Sequence, residues 1–358
     1  VRESCGDPQG RYVAWSSARE QYFSRTVPQS IIGRTSTVQP GRPPEPQQHW
    51  APVSLKHVRI QDAFWSVRQE RIRSVTLPTI YRNFEKLGYL DALKLEWKPG
   101  EPNQPHVFWE SDLGKWIEAA SYVLAARPDD GLAQQVDYLI GLLAQAQQPD
   151  GYLNAHFTVV NPGKRWTNLR DWHELYCAGH LIEAAVAHYE ATGNRKLLDV
   201  MIRYADYIDS VFGPKEGQLR GYPGHEEIEL ALVKLYRTTG EQHYLQLSRF
   251  FVNERGQQPH YYDGEARARN EDPADFWAKT YEYNQSHKPV RQQTEAVGHA
   301  VRAVYLYAAM TDLARETGDQ SLAEAVKILF SSVVERQMYV TGSIGPGRHN
   351  EGFTADYD

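Results

Sequence analysis

Cysteine is nearly absent: the 358 residues hold two, Cys5 and Cys177. Cys177 lies in a helix-patterned stretch and Cys5 in an unpatterned one, so no disulfide framework is expected and a reducing, cytoplasmic setting is the default. The chain opens on Val rather than Met, which leaves room for a signal peptide upstream. Long hydrophobic runs are missing too; each is soon broken by charge, so no membrane-spanning helix is expected. Basic excess is also lacking. The formal charge is −6 and no basic stripe appears, which argues against nucleic acid as a partner. A glycine-rich phosphate loop, a G-x-S-x-G elbow and a Walker motif are all absent, and with them the chemistries those motifs serve.

What is plentiful is aromatic: 12% of the residues, with 22 Tyr and 9 Trp. Rings with a polar handle suit stacking on sugars, and suit a large core equally well. Hydrophobic content of 41% allows such a core.

Residues 1–52 read as a tail. The stretch STVQPGRPPEPQQHWAP is rich in Pro and Gln and shows no apolar period. The domain begins at VSLKHVRIQDAFW, where Val53, Leu55, Val58 and Ile60 suggest a short strand or two. From Phe64 onward the apolar period is helical. Leu113, Trp116, Ile117, Ala120, Val123 and Leu124 fall on one stripe, with Ser111 and Asp112 as suitable caps. Similar stripes run through 131–147, 172–191, 195–212, 225–238, 242–254, 290–316 and 320–339. A joint recurs between them in ATGNRKLL, TTGEQHYL and ETGDQSLA. Gly suits the left-handed position that ends one helix, and Asn or Asp can cap the next, so each joint predicts a tight antiparallel hairpin. Between the second and third joints lies a long insertion, GQQPHYYDGEARARNEDPADFWAKTYEYNQSHKP. Uneven hairpins with long polar loops favour a closed all-α (α/α) barrel over an open solenoid.

Several polar groups are candidates for chemistry. His173, Cys177 and His180 share one helical face, a metal reading weighed against a buried packing thiol. His225 precedes Glu226 and Glu227 at a helix start, as a pocket donor or a cap. Glu295 and His299 fall four apart in an apolar helix, where a satisfied core histidine is the plainer reading. Glu110 and Asp112 beside Trp109 read as a charged first turn. Glu351 is presented by TGSIGPGRHNEGF, an irregular loop shaped by glycines, and is either a general acid or a solvated loop residue.

Taken together, FWESDLGKWIEAASYVL, DGYLN, KRWTNLRDWHELYCAGHLIEAAVAHYEATG, GHEEIELALVKLYRTTGE, HKPVRQQTEAVGHAVRAVYLYAAMTDLA and MYVTGSIGPGRHNEGFTADYD resemble glycoside hydrolase family 127, the β-L-arabinofuranosidases. The resemblance runs from about residue 53 to the end. It implies an (α/α)6 barrel that removes terminal β-L-arabinofuranose with retention. It implies Glu351 as acid/base, and His173, His225 and His299 as sugar contacts. It also implies a cysteine thiolate nucleophile held on zinc by a Glu and further cysteines; these fall on no residue here. Cys177 matches a different family position. The expectation is therefore the N-terminal part of a catalytic domain, an incomplete barrel, with no metal held by these residues and no turnover on its own. A carbohydrate is the expected partner, and the resemblance leaves a homodimer open for the intact protein. Outside the family, another α/α-barrel sugar enzyme (an epimerase or uronide hydrolase) or a helical-repeat scaffold fits the pattern. Convergence of His173, His225, His299 and Glu351 on one pocket separates an enzyme from a scaffold.

Overall fold

The computed structural model describes residues 53–358. The expected tail, residues 1–52, lies outside the described residues. The α-helices are α1 (Trp65–Arg71), α2 (Leu77–Leu87), α3 (Tyr89–Ala92), α4 (Trp109–Ala126), α5 (Asp130–Ala146), α6 (Glu174–Thr192), α7 (Lys196–Val211), α8 (Ile228–Thr239), α9 (Gln242–Glu254), α10 (Tyr261–Ala268), α11 (Ala300–Thr317) and α12 (Gln320–Ser332). The architecture is all-α and of the (α/α) barrel type. Helices α4, α6, α8 and α11 pack side by side in an inner row, while α5, α7 and α9 back them, and α12 packs on α11. Among the described residues no helix is long and apolar enough to cross a membrane.

The recurring joints form as the sequence predicts. Gly193, Gly240 and Gly318 end α6, α8 and α11 at φ of 77°, 81° and 68°, a region where a Cβ would be strained. Asp319 then caps α12 by accepting the Leu322 N–H at 3.0 Å. Each joint therefore folds an inner helix back onto an outer one.

The inner row is close-packed. A Cβ on Gly179 of α6 would sit 1.5 Å from the Glu227 carboxylate and 2.8 Å from the Ile228 backbone. The missing side chain is what lets α6 and α8 approach. An apolar cluster runs along α4 to α9 among a set of buried charged and polar groups, and a second cluster joins α11 and α12 to Val233 and Val252.

Four local expectations change. No β-strand forms at 53–60; Leu55–His57 is a single 3-10 turn, and Val53, Leu55, Val58 and Ile60 are exposed. Without a partner strand the alternation has nothing to pair with. Helix α4 starts at Trp109, ahead of the expected caps, and Ser111 instead donates to the Phe108 carbonyl at 2.7 Å. Helix α8 starts at Ile228 rather than at His225. The stripe from 290 breaks after the 3-10 turn Val290–Gln292, and α11 begins only at Ala300. That break takes His299 out of a helix interior and makes it the cap.

Candidate active site

The inner helices all present their N-terminal ends on one side, and the candidate residues sit at those ends. His173 is the cap of α6, His225 lies three residues before α8, and His299 is the cap of α11. Their rings form an arc: His173 to His225 is 5.9 Å between centroids, and His225 to His299 is 5.6 Å. Glu351 completes it, with its Oε2 3.2 Å from His299 Nε2. The four side chains thus lie side by side in one arc.

Backbone bonds hold the Glu351 loop in place. The Ala300 N–H donates to the Glu351 carbonyl at 3.0 Å, and the Phe353 N–H donates to the Gly298 carbonyl at 2.9 Å. His299 and Gly352 thereby form a short antiparallel bridge. The Glu351 side chain is 81% exposed, so its position is set by this docking and not by packing. Its backbone sits at φ 50°, strained for a residue with a Cβ and typical of functional loops.

Ring protons follow from the partners. His299 Nδ1 accepts the Arg302 N–H at 3.3 Å, so the proton sits on Nε2 and faces Glu351. His225 Nδ1 donates to the Glu226 carbonyl at 2.9 Å, which leaves its Nε2 as an acceptor toward the pocket. Burial, followed by the nearby Arg302 guanidinium, pushes His173 down to about 3 and His225 well below the ordinary imidazole range. The same two causes lower His299, opposed by Glu351. Arg302 is itself buried, donates to the Gly224 carbonyl, and lies 4.4 Å over the Tyr283 ring. Neutral imidazoles can both donate to and accept from hydroxyl groups, whereas imidazolium can only donate.

A titration tests this. His173 is depressed from 6.5 to about 3, so below pH 6.5 the unfolded chain gains a proton that the folded chain refuses. Its contribution to stability is present above 6.5 and is lost as pH falls toward 3. The His173 ring resonances are expected to stay unchanged in NMR between pH 7.5 and 5, and a midpoint near 6.5 would contradict the buried neutral state.

The other candidates separate. His173, Cys177 and His180 build no metal site: the Cys177 thiol is sealed and donates to the Val107 carbonyl at 3.5 Å. His180 turns instead toward Glu183 and Glu227, where the Lys234 ammonium already pairs with Glu183. Glu295 is exposed, on a loop and not beside His299 on a helix. Glu110 is buried and accepts the Ala155 N–H at 2.6 Å; burial raises its carboxyl to about 7. It ties two chain segments together. Asp112 accepts from the Tyr89 hydroxyl at 3.1 Å.

Comparison with known proteins now bears on this pocket. The profile of the β-L-arabinofuranosidase catalytic domain of glycoside hydrolase family 127 matches residues 57–358. The chain belongs to glycoside hydrolase family 127. A non-reducing end β-L-arabinofuranosidase of Bifidobacterium longum subsp. longum is 44% identical over 260 residues, 70% of this chain and 39% of that protein. The crystal structure of a family 127 β-L-arabinofuranosidase from Geobacillus stearothermophilus T6 superposes with a TM-score of 0.81 at 48% identity, covering 84% of this chain and 48% of that one. A second family 127 structure, a β-arabinofuranosidase, gives 0.76 at 38% identity, covering 86% and 47%. The chain thus spans half or less of the length of these family 127 relatives.

The thiolate zinc site that the family resemblance implies finds no fit among the described residues of this family 127 chain. It requires several cysteines. The described residues hold Cys177 alone, and burial, then Glu110, pushes that thiol well above its ordinary range. A protonated, sealed thiol neither ligates zinc nor attacks.

Sequence reasoning named the four converging residues but missed their supports. Arg302 looked like one more charge on a helical stripe. Tyr176, whose ring centroid is 4.3 Å from that of His225, looked like one more tyrosine. Arg302 stands three residues after His299, which is the one sequence signal that could have marked it.

Proposed function

We propose that the protein removes terminal β-L-arabinofuranosyl residues from arabinose-containing glycans, with Glu351 as acid/base and His173, His225 and His299 as sugar contacts. The observation that carries this reading is the convergence of three neutral imidazoles and one exposed carboxylate at the inner helix ends. The Glu351 side chain is solvent-exposed and is hydrogen-bonded on one side only, by His299. That suits a group that gives a proton to a departing oxygen and later takes one from water. His225 Nε2, free as an acceptor, and the His173 ring would orient the sugar hydroxyls through hydrogen bonds.

Retention through a cysteine nucleophile on zinc is the mechanism the resemblance implies for the intact protein. Cys177 takes no part in it, because its thiol is buried and held protonated. The 358 residues alone are accordingly expected to release no L-arabinose from a β-L-arabinofuranoside. The test is chromatographic detection of L-arabinose after incubation with a β-L-arabinofuranosyl disaccharide. A form of the protein of the relatives' length should release it. If that form leaves β-L-arabinofuranosides intact and cleaves another glycoside, the substrate assignment fails. Turnover by the 358 residues alone would instead place the nucleophile among them.

A further inference from the structure

The long insertion between the second and third helix joints supplies none of the four converging residues, yet one end of it reaches the edge of their site. Tyr283, within the insertion, meets His299 edge-on, with ring centroids 5.6 Å apart. Trp277 stands perpendicular to Tyr283 at 4.6 Å. The Trp277 side chain is 56% exposed, an unusual place to leave an indole. A groove of about 760 Å³ runs from here along the Glu351 loop. Its walls include Trp277 and Tyr283 on one side, Gly298 at the base, and Arg348, Asn350 and Phe353 on the other. None of the four site residues lines this groove itself; it is joined to them through Tyr283 and through Gly298 and Asn350, the chain neighbours of His299 and Glu351, whereas a larger cleft of about 1000 Å³ around Gln257, His260 and Tyr261 has no such neighbour.

The two sides of the imidazole arc differ. Beyond His173 the pocket meets rings, with Phe108 edge-on at 5.5 Å and Tyr176 edge-on at 5.5 Å. Beyond His299 it meets one ring, Tyr283, which is itself part of the groove wall. A general acid must stand beside the oxygen it protonates. The group attached to that oxygen therefore departs on the Glu351 side, toward Trp277. The polar wall of Arg348 and Asn350 offers donors and acceptors to hydroxyl groups, and the indole offers an apolar face. That pairing matches a sugar ring, which has hydroxyl edges and a C–H face.

We propose that this groove is the leaving-group subsite, and that Trp277 is the stacking platform for the second sugar ring of the substrate. The assignment rests on the glycosidase reading above, since it takes Glu351 as the acid. The insertion then has a role in specificity: it selects substrates whose departing group is a sugar and not a small alcohol.

The test compares two substrates, a β-L-arabinofuranosyl disaccharide and methyl β-L-arabinofuranoside, in a catalytically competent form of the protein. Trp277→Ala is expected to lower kcat/KM about ten-fold on the disaccharide, through KM more than kcat, and to leave the methyl glycoside within about two-fold. Trp277→Phe should recover most of the loss. Equal effects on both substrates, or none on either, would overturn the subsite. If neither substrate is cleaved even by the unsubstituted protein, the glycosidase reading has failed separately. The platform is then read by saturation-transfer NMR of free L-arabinose on the 358-residue chain. Transfer that disappears in Trp277→Ala supports it, and transfer that is absent from the start or unchanged refutes it.

Discussion

Glu351→Gln is expected to leave about a thousandth of the kcat/KM on an alkyl β-L-arabinofuranoside in a catalytically competent form of the protein. The amide keeps the shape of the side chain and can still accept from His299 Nε2, which lies 3.2 Å from the carboxylate. What it lacks is a proton to give. The loss should therefore depend on the leaving group: an aryl glycoside with an acidic phenol needs little protonation, and its cleavage should fall far less in the first step. Loop disruption would lower both substrates alike, so the contrast separates chemistry from folding. A decrease smaller than ten-fold on the alkyl glycoside would remove Glu351 from the acid role.

Arg255→Met is expected to cost about 3–5 kcal/mol of stability, read from denaturant unfolding. Arg255 is fully buried and ion-pairs with Glu226 at 2.9 Å and Glu229 at 3.0 Å, both also buried. It further donates to the Pro223 carbonyl at 2.8 Å and the Asn284 carbonyl at 2.9 Å. Burial already raises Glu226 to about 7, with Arg255 pulling the other way. Without the guanidinium, two carboxylates stand in the core beside each other. One must take a proton or the segment must open. Adding Glu226→Gln and Glu229→Gln to the variant should return part of the loss, because the uncompensated charge is then gone. A change under about 1 kcal/mol in the single variant would show that the network adds little to the fold.

Most helices were legible because the apolar period of 3.6 is long and repeated, and because each Thr-Gly joint has one physical meaning. The errors fall where a local pattern was read without its tertiary partner. Val53, Leu55, Val58 and Ile60 alternate like a strand, but alternation alone does not supply a neighbouring strand. Residues 290–299 carry a helical stripe, yet the chain there is spent on carrying His299 to the pocket rim. The candidate site was legible as residue types: three histidines near helix starts and a glutamate in a glycine-shaped loop. Their convergence was not, since it depends on α6, α8 and α11 all starting on the same side and on the Glu351 loop docking beside α11. The supports were least visible. Nothing in the string of letters distinguishes Arg255, which lies buried between two glutamates, from Arg237, which pairs on the surface with Asp312 and Glu316.

The backbone docking of the Glu351 loop has an evolutionary corollary. The two hydrogen bonds that seat it use main-chain groups of Gly298, Ala300, Glu351 and Phe353. Most side-chain replacements leave such groups in place; the exceptions are proline at a donor and any side chain at Gly298 or Gly352, whose Cβ would sit 1.9 Å from the Glu282 carbonyl and 2.7 Å from the Gly298 carbonyl. Outside Gly345 and Gly347, where a Cβ would meet Ala300 and Gly352, the loop ahead of Glu351 can therefore drift in composition while the acid stays registered to the imidazole arc. Trp277 and the polar wall facing it can vary on their own schedule. A lineage could thus change which group departs without rebuilding the machinery that makes it depart.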